Sequence, residues 1–531
     1  KVFFDPSISK VMFYTPLMNT LKVSLASTFI AILLGGAVAW LITRSNIRFK
    51  SMISTLFVLP YIMPSWTLAM AWLNFFRNSH IGGSPGLFTA LTGIETANWF
   101  AYGAFPISVV LGLHYAPFAY ILIGGILRNM DANLEEAATI LKTSRLRILR
   151  KITLPIVMPA ILSTFLLTFS SSMSAFAVPA FLGTPVRFQV LTTQMFRTLN
   201  GLNPGYGYIM SIVLIVIGVV ILMINQWVVG KRKSFTTVTG KSSQISLVDL
   251  KKLRTPISVF LGVFLLLIAI IPLITFAVES FILAPGDYSF SNFTTLFWTG
   301  AGRADIGGGE PGILKNKYVY LGLWNSLKLA GGSALIAGTL GVLTGYAVVK
   351  GKNSKLASFV NNLAFFPYLM PAMAFGAIYL SMFSKRNLFI PSLYGTFALL
   401  VLVGSIKYLP FASRSGINAM LQLSDEIEEA AVIQGVSWSK RMRKIIFPIQ
   451  KSSFLSGYLL PFISAMRELS LFILLITPAN RILTTMLFQY NEKGWNQYAN
   501  AINLMIIVIV LTINYVVNKL TGASIDKGIG G

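Results

Sequence analysis

The feature that most constrains this chain is a long succession of apolar stretches. A helix that crosses a bilayer needs roughly 20 residues at a rise of about 1.5 Å per residue. Eleven segments meet this length, at residues 17–41, 52–75, 104–127, 156–178, 207–229, 256–278, 321–349, 357–382, 394–412, 450–476 and 500–518. Charged residues make up only 11% of the 531-residue chain, against about 25% in soluble domains. The sequence therefore predicts an all-α protein that crosses a lipid bilayer many times.

The distribution of basic residues predicts the orientation of these spans. The net charge is +26, and Lys and Arg cluster in alternate loops, for example at 44–50, 142–151 and 440–444. Cytoplasmic loops of membrane proteins carry such an excess of positive charge, which explains the balance better than nucleic-acid binding does. We therefore expect these loops in the cytoplasm, the intervening Gly- and Pro-rich loops outside, and no nucleic-acid partner.

The sequence also contains an internal duplication, which has to be recognised before a fold is argued. "LPYIMP" (59–64) pairs with "FPYLMP" (366–371), and "NLEEAATIL" (133–141) pairs with "EIEEAAVIQ" (426–434), 293 residues later. The matches occur in the same order in both halves. We predict a first half over residues 1–232, a cytoplasmic linker over 233–255 and a second half over 256–531.

The two predicted halves differ by one span. The second half has the stretch 256–278 before its repeated part, so it has six spans where the first has five. We expect the missing counterpart to precede Lys1 in the native protein, which gives twelve spans in full. Halves of six spans each enter the bilayer in the same direction, so they are parallel repeats related by an axis along the membrane normal.

The duplicated polar loop has the features of a short helix on the cytoplasmic face. Acidic residues in its first turn are favourable at the positive end of the helix dipole, and Gly435 is suited to end the second copy. A basic stretch follows, and then a proline, which the first turn of the next helix tolerates. The two loops hold seven of the chain's 17 acids: Asp131, Glu135, Glu136, Asp425, Glu426, Glu428 and Glu429. A docking partner explains this concentration at two matched positions better than ordinary solvated loops do.

These loops resemble the signature loop of permease subunits in binding-protein-dependent ABC importers of the type I fold. That loop reads Glu-Ala-Ala, three residues, Gly, nine residues, Ile-x-Leu-Pro. The resemblance implies that an ATPase is contacted through Glu135, Glu136, Ala137, Ala138 and Pro155, and through Glu428, Glu429, Ala430, Ala431, Gly435 and Pro448. Lys142 replaces the glycine in the first copy, and Phe447 replaces the leucine in the second. We therefore expect the first helix to end differently and to dock less symmetrically.

The resemblance also implies the partners of the chain. One chain with two such loops would contact two copies of a cytoplasmic ABC ATPase and replace the usual permease dimer. An extracytoplasmic binding protein would deliver the substrate to this multi-pass protein of the bacterial inner membrane. ATP and Mg would be bound by the ATPase subunits, so the chain itself would have no catalytic residue and no cofactor.

The substrate is predicted from a narrower resemblance. The stretch "MRELSLFILLITPANRILTTMLF" (466–488) is similar to ferric-iron-type permeases, which favours ferric iron. A phosphorylated or phosphonate compound, thiamine or a polyamine are the alternatives. Ionisable residues inside a span usually mark a pathway, and small polar residues accompany them here, so the pathway candidates are Glu468, Arg467, Ser470, Ser172 and Ser174. Their alternative roles are a local Glu–Arg pair and serines that only allow close helix packing.

Other classes fit less well. An ion-coupled secondary transporter remains a remote alternative, but it would carry ionisable residues along an ion path, and few occur within these spans. A membrane enzyme needs a nucleophile, base or metal constellation. The chain has no cysteine, and its two histidines, His80 and His114, share no ligand spacing, so we expect neither a catalytic site nor a metal site.

Overall fold

The computed structural model describes residues 2–130, 133–201, 203–232, 247–352, 354–386 and 391–521. Asp131 and the linker residues 233–246 lie outside them. Within the described residues the regular structure is helical, apart from isolated bridges between single residues. By its internal packing the chain forms two compact units, Lys1–Thr294 and Thr295–Gly531.

The first unit is built from a series of long helices and shorter turns. The helices of eight residues or more are α1 (Thr15–Arg44), α2 (Lys50–Ile62), α3 (Ser65–Phe76), α4 (Ala104–Asn129), α5 (Asn133–Ile140), α6 (Leu154–Met173), α7 (Leu191–Leu199), α8 (Pro204–Arg232) and α9 (Arg254–Phe281). Shorter turns include Pro6–Ser9, Lys10–Tyr14, Ser79–Gly82, Leu87–Thr92, Asn98–Ala101, Arg145–Ile148, Leu149–Thr153 and Ala177–Gly183. Helix α9 packs against α2 and α3.

The second unit repeats this order. Its longer helices are α10 (Lys317–Lys350), α11 (Lys355–Leu369), α12 (Ala372–Phe383), α13 (Phe397–Leu421), α14 (Asp425–Ile433), α15 (Lys451–Met466), α16 (Leu483–Glu492) and α17 (Asn496–Thr521). Shorter turns include Leu296–Thr299, Trp438–Arg441, Met442–Ile446 and Phe447–Ile449. Helices α1 and α10 therefore occupy equivalent positions, as do the short helices α5 and α14.

Small residues set the closest helix contacts in each unit. Gly35 of α1 lies against Ala116 and Ala119 of α4, and Gly341 of α10 lies against Ala412 of α13. A Cβ at either glycine would clash with the backbone of the facing helix. Close approach through small residues is how helices gain packing energy in a membrane, where lipid removes the hydrophobic drive between them.

Equivalent long-range hydrogen bonds show that the duplicated segments fold alike. Asn19 donates through Nδ2 to the carbonyl of Gln189 at 2.9 Å, and Asn325 donates to that of Arg481 at 3.0 Å. The next residues, Thr20 and Ser326, accept with their hydroxyls from the amides of Leu191 and Leu483 at 2.9 and 3.0 Å. The all-α fold with two repeats is thereby confirmed.

The compact units do not coincide with the predicted halves. Helix α9, which the duplication assigns to the second half, belongs by packing to the first unit. Compact packing and sequence duplication are different properties, so the boundaries 1–232, 233–255 and 256–531 stay a prediction.

The predicted count of eleven spans is too high. Within the described residues, eight helices are long and apolar enough to cross a membrane: Pro6–Arg44, Asn98–Arg128, Leu149–Met173, Pro204–Asn225, Lys251–Phe281, Lys317–Lys350, Phe397–Leu421 and Asn496–Val517. Two bent pairs raise the number to ten if each pair is one span. The predicted span 450–476 is instead the 16-residue helix Lys451–Met466 followed by turns.

The bent pairs correspond to the predicted spans 52–75 and 357–382. Their two parts meet at 92° in the first unit and at 102° in the second. Met63 and Met370 have extended backbones at the two breaks, because the following prolines, Pro64 and Pro371, disfavour the helical conformation in the residue before them. Non-helical backbone at membrane depth has to be buried in protein or line a cavity, so each break needs local hydrogen-bond partners.

Candidate functional site

The second polar loop forms a helix with a defined end. Helix α14 ends in a left-handed residue, Gly435, with φ +70°. The amide of Gly435 donates to the carbonyl of Val432 at 2.9 Å, and that of Val436 donates to Ala431 at 3.0 Å. This pair of bonds is the Schellman motif, which satisfies the last carbonyls of a helix and favours glycine at the left-handed position.

The first polar loop ends its helix in the same way. Lys142 has φ +53° and donates its amide to the carbonyl of Thr139 at 2.9 Å. The amide of Thr143 donates to Ala138 at 3.0 Å. The expectation that the missing glycine changes this end was wrong, because the two hydrogen bonds impose the left-handed conformation on a lysine. A side chain in that conformation costs about 1 to 2 kcal/mol.

The two adjacent glutamates of α14 face opposite ways. Glu428 is buried, with 7% of its side chain exposed. Its Oε1 accepts from the Tyr346 hydroxyl at 2.7 Å and from Nε of Arg441 at 3.3 Å. Nζ of Lys350, the last residue of α10, lies 3.0 Å from Oε2. Glu429 is exposed, so one glutamate fixes the helix to the bundle and the other is free for a partner.

The first loop repeats this arrangement with weaker contacts. Glu135 accepts from the Thr153 hydroxyl at 2.6 Å, and Nη2 of Arg44 lies 3.6 Å from its Oε2. Arg44 ends α1 as Lys350 ends α10. Glu136 is exposed, like Glu429. In each copy a basic residue at the end of a membrane helix therefore faces the first glutamate of the short helix.

The charge network of the second loop shifts the pKa of its carboxyls. Burial alone would raise the pKa of Glu428, but hydrogen bonds from Tyr346 and Lys350 outweigh it and hold that pKa below its ordinary value. The pKa of the exposed Asp425 is also lowered, by its hydrogen bond to Lys350 and by the positive charges of Lys350 and Lys352. Both carboxyls are therefore ionised at neutral pH, and the network is held by opposite charges.

Each short helix presents an apolar surface beside its exposed glutamate. Ile140 is 81% exposed and Leu141 79%, and the counterpart Ile433 is 86% exposed. Of the predicted contact alanines, Ala137 and Ala430 are exposed, Ala138 is half-buried and Ala431 is buried. Exposed apolar groups rimmed by charges mark protein interaction sites, so this surface is suited to a docked partner.

A π turn precedes the membrane helix that follows each short helix. The turns are Leu149–Thr153 and Met442–Ile446, at equivalent positions in the two repeats. Pro155 follows the first in the opening turn of α6, and Pro448 follows the second in Phe447–Ile449. Single π turns inside helices are often found at functional sites, and here they connect the helical turns Arg145–Ile148 and Trp438–Arg441, which follow the short helices, to the membrane helices.

The predicted pathway residue Glu468 lies outside a regular helix. Helix α15 ends at Met466, and Glu468 lies in the non-helical segment that follows. Its Oε1 accepts from the amide of Leu471 at 3.0 Å, and its Oε2 from the Tyr408 hydroxyl at 3.3 Å. Its own carbonyl accepts from Thr484 at 2.8 Å. Glu468 is partly exposed, and these three hydrogen bonds connect it to Leu471 in the following turns, to α13 and to α16.

The sequence reasoning missed Lys407, which lies next to Tyr408 in α13. Its Nζ donates to the carbonyl of Pro367 at 2.9 Å and to that of Met370, both at the break between α11 and α12. The equivalent residue of the first repeat, His114, has its Nδ1 3.0 Å from the carbonyl of Pro60. Both breaks thus receive a side-chain partner. A lysine within the apolar span 394–412 was the available signal.

The remaining pathway candidates do not form one cluster. Arg467 and Ser470 flank Glu468 in the second unit and are partly exposed. Ser172 and Ser174 belong to the first unit. The hydroxyl of Ser172 accepts from Ser27 at 2.9 Å, and that of Ser174 donates to the carbonyl of Ser170 at 2.7 Å. Among the residues that the structure describes, no three acidic or histidine side chains are grouped to hold a metal ion.

The chain has two repeats of apolar helices, and each repeat has a polar loop with one glutamate that is hydrogen-bonded to the helices and one that is exposed. These features define a multi-pass membrane permease. The chain belongs to the family of binding-protein-dependent transport system inner membrane components, whose domain matches residues 29–234 and again residues 337–525. Because the domain is matched twice, the chain is a fused double permease of the type I importer fold.

Similar proteins include iron and sulfate permeases. A ferric transport system permease protein of Actinobacillus pleuropneumoniae is 27% identical over 430 residues, which cover 79% of this chain and 59% of that protein. An Fe(3+)-transport system permease protein of Haemophilus influenzae is 23% identical over 503 residues, or 93% of this chain and 87% of that protein. A sulfate transport system permease protein of Salmonella typhimurium is 27% identical over 201 residues, 36% of this chain and 70% of that protein. The chain spans less than two thirds of the Actinobacillus relative.

Proposed function

We propose that the chain is the transmembrane pathway of an ATP-driven importer in the bacterial inner membrane. Two copies of a cytoplasmic ATPase would dock on it, one on α5 and one on α14. The observation that carries this proposal is the matched pair of short helices, each with one glutamate bonded to the bundle and one exposed beside exposed apolar side chains. ATP and Mg would be bound by the ATPase subunits, and the chain would transmit the motion of these subunits to its membrane helices without catalysing a reaction.

The ion pairs explain how motion of the ATPase would reach the bundle. Lys350 ends the 34-residue helix α10 and contacts Glu428 and Asp425 of α14 at 3.0 and 2.7 Å. Arg44 ends α1 and faces Glu135 of α5. When ATP binding brings the two ATPase subunits together, α5 and α14 would approach each other and pull these membrane helices with them. An extracytoplasmic binding protein would supply the substrate to the outward-open state.

Ferric iron is the substrate that the relatives favour. Two similar permeases carry ferric or Fe(3+) transport in their names, and Glu468 offers a partly exposed carboxylate beside non-helical backbone. Uptake of radioactive ferric iron by cells that supply the ATPase and binding protein tests this. We expect uptake to depend on the gene and to fall in Glu468→Gln, while Asp305→Asn, which removes an exposed loop acid, leaves it unchanged.

An oxyanion is the second candidate substrate. Arg467 is adjacent to Glu468 and partly exposed, and a similar permease is named for sulfate. A guanidinium binds sulfate, phosphate or phosphonate groups through paired hydrogen bonds. Iron uptake that is independent of the gene, together with sulfate or phosphonate uptake that is lost in Arg467→Gln, would replace the iron proposal by this one.

A further inference from the structure

The end of the linker between the repeats docks on the first unit. Val248 donates its amide to the carbonyl of Arg44 at 2.8 Å, and the amide of Asn46 donates to the carbonyl of Val248 at 3.2 Å. These bonds form a parallel bridge between Ser45 and Val248. The linker end, residues 247–250, is thus paired to the chain segment that leaves α1.

Side chains reinforce this pairing. Nδ2 of Asn46 donates to Oδ1 of Asp249 at 2.7 Å, and Oδ1 of Asn46 accepts from the amide of Leu250 at 3.1 Å. Leu250 also packs against a buried cluster that contains Ile47. Through its side-chain nitrogen and oxygen, Asn46 therefore joins the linker end to the segment that follows α1.

Arg44 connects the linker end to the first short helix. Its carbonyl accepts from Val248, while its Nη2 lies 3.6 Å from Glu135 and 3.5 Å from the carbonyl of Met130. Its side chain is 1% exposed, and in the part of the chain that the structure describes its Nε and Nη1 have no hydrogen-bond partner. The side chain has few bonds of its own, so its position depends on where the main chain of Arg44 is held.

Among the described residues, no other segment pairs with the second repeat at the equivalent place, and different contacts are found there. After Lys350 the chain turns at once, with the amide of Gly351 bonded to Ala347 and that of Ser354 bonded to Gly351. Lys350 meets two carboxylates, at 2.7 and 3.0 Å, and Arg441 supports one of them. Among the described side chains of the first repeat, the corresponding ion pair is the longer contact between Arg44 and Glu135, at 3.6 Å. The linker end is therefore paired with the first repeat, whose short helix has the weaker ion pairs of the two repeats.

We propose that the linker end, residues 247–250, is a positioning element for the first short helix α5. Asn46 and Asp249 hold the main chain of Arg44, and Arg44 in turn holds Glu135. The fused chain thereby gives α5 the support that α14 receives from its own ion pairs. In the proposed importer, on which the functional part of this inference rests, the linker end would keep the two docking helices equally coupled to the bundle.

The lack of cysteine in the chain allows a direct test. A single spin label is placed at position 136 through Glu136→Cys, or at 429 through Glu429→Cys, in the whole permease in nanodiscs without ATPase. We expect Asn46→Ala with Asp249→Ala to raise the mobile fraction of the label at 136 about 30-fold, the factor that follows when both hydrogen bonds of the Asn46 amide group are lost, at about 1 kcal/mol each. The label at 429 should not change. Asp249→Asn alone keeps an acceptor for Asn46, so in that variant the label at 136 should behave as in the otherwise unaltered chain.

The outcomes separate this inference from the proposed function. No change at 136, or an equal rise at 136 and 429, would overturn the positioning role, because the second result indicates general loosening. In the reconstituted importer, the double alanine variant should transport less substrate per ATP hydrolysed while it still binds two ATPase subunits. Failure of the unaltered chain to bind any ATPase would refute the proposed function and leave the label result standing.

Discussion

Glu428 and Glu429 are neighbours in one helical turn, and the structure gives them separable roles. Glu428→Gln keeps the side-chain volume and an acceptor for the Tyr346 hydroxyl but removes the charge that faces Lys350 and Arg441. Removal of one member of a buried ion pair costs about 3 to 5 kcal/mol. The cost here is smaller, since Lys350 is 23% exposed and keeps Asp425.

We estimate that Glu428→Gln lowers the free energy of local opening of α14 by about 2 kcal/mol, which raises its opening equilibrium constant about 30-fold. Hydrogen exchange followed by mass spectrometry, on the permease in nanodiscs without ATPase, reports this opening. The amides of Gly435 and Val436, which bond to Val432 and Ala431, are the probes. They should exchange about 30 times faster in Glu428→Gln, by the same conversion.

Glu429→Gln is the matched control, because it removes the same charge from the exposed side of the same helix. Exchange at Gly435 and Val436 should stay close to that of the unaltered chain, while binding of the ATPase should weaken. Equal acceleration in both variants, or none in Glu428→Gln, would refute the assignment of Glu428 to the bundle and Glu429 to the partner.

Three further predictions concern the same loops. Glu136→Lys and Glu429→Lys should reduce co-purification of the ATPase to a similar extent, since both helices end in the same motif; loss in one variant alone would contradict this. Lys142→Gly should slow exchange of the first loop about fivefold, because it relieves about 1 kcal/mol of left-handed strain, and no change would mean that Lys142 is unstrained. Because the folded pKa of Glu428 and Asp425 lies below the ordinary carboxyl value, their stabilisation is complete above about pH 4.3 and is lost as the pH falls through the lower folded pKa. Trypsin cleavage of the second loop, divided at each pH by the cleavage of an unfolded peptide of the same sequence, should therefore be constant from about pH 8 to 5. A rise in this ratio near pH 6 would argue against ionised carboxyls there.

Local sequence features were sufficient to predict the repeats and the short helices. The order of matched motifs indicated the duplication, and acids, alanines and a following proline indicated α5 and α14. These features depend on hydrogen bonds and charges within a few residues. The left-handed Lys142 was missed because residue preference favours glycine there, whereas the two terminal hydrogen bonds of the helix decide the conformation.

Features that depend on distant partners were not predictable in this way. The stretch 450–476 reads as one apolar span, but the turns after Met466 are held by Tyr408 and Thr484, which lie far away in the chain. The bends at Pro64 and Pro371 are local, yet their stabilisation by His114 and Lys407 is not. Hydropathy measures how apolar a segment is, but it does not show which side chain supplies the hydrogen bonds at a break in a helix.

We propose that one chain presents two equivalent docking helices, α5 and α14, to two ATPase subunits. Native mass spectrometry of the purified complex measures this directly. We predict two ATPase subunits for each permease chain, one after Glu136→Lys or Glu429→Lys alone, and none when the two substitutions are combined. A complex with a single ATPase subunit on the unaltered chain, or two subunits retained after both substitutions, would contradict it.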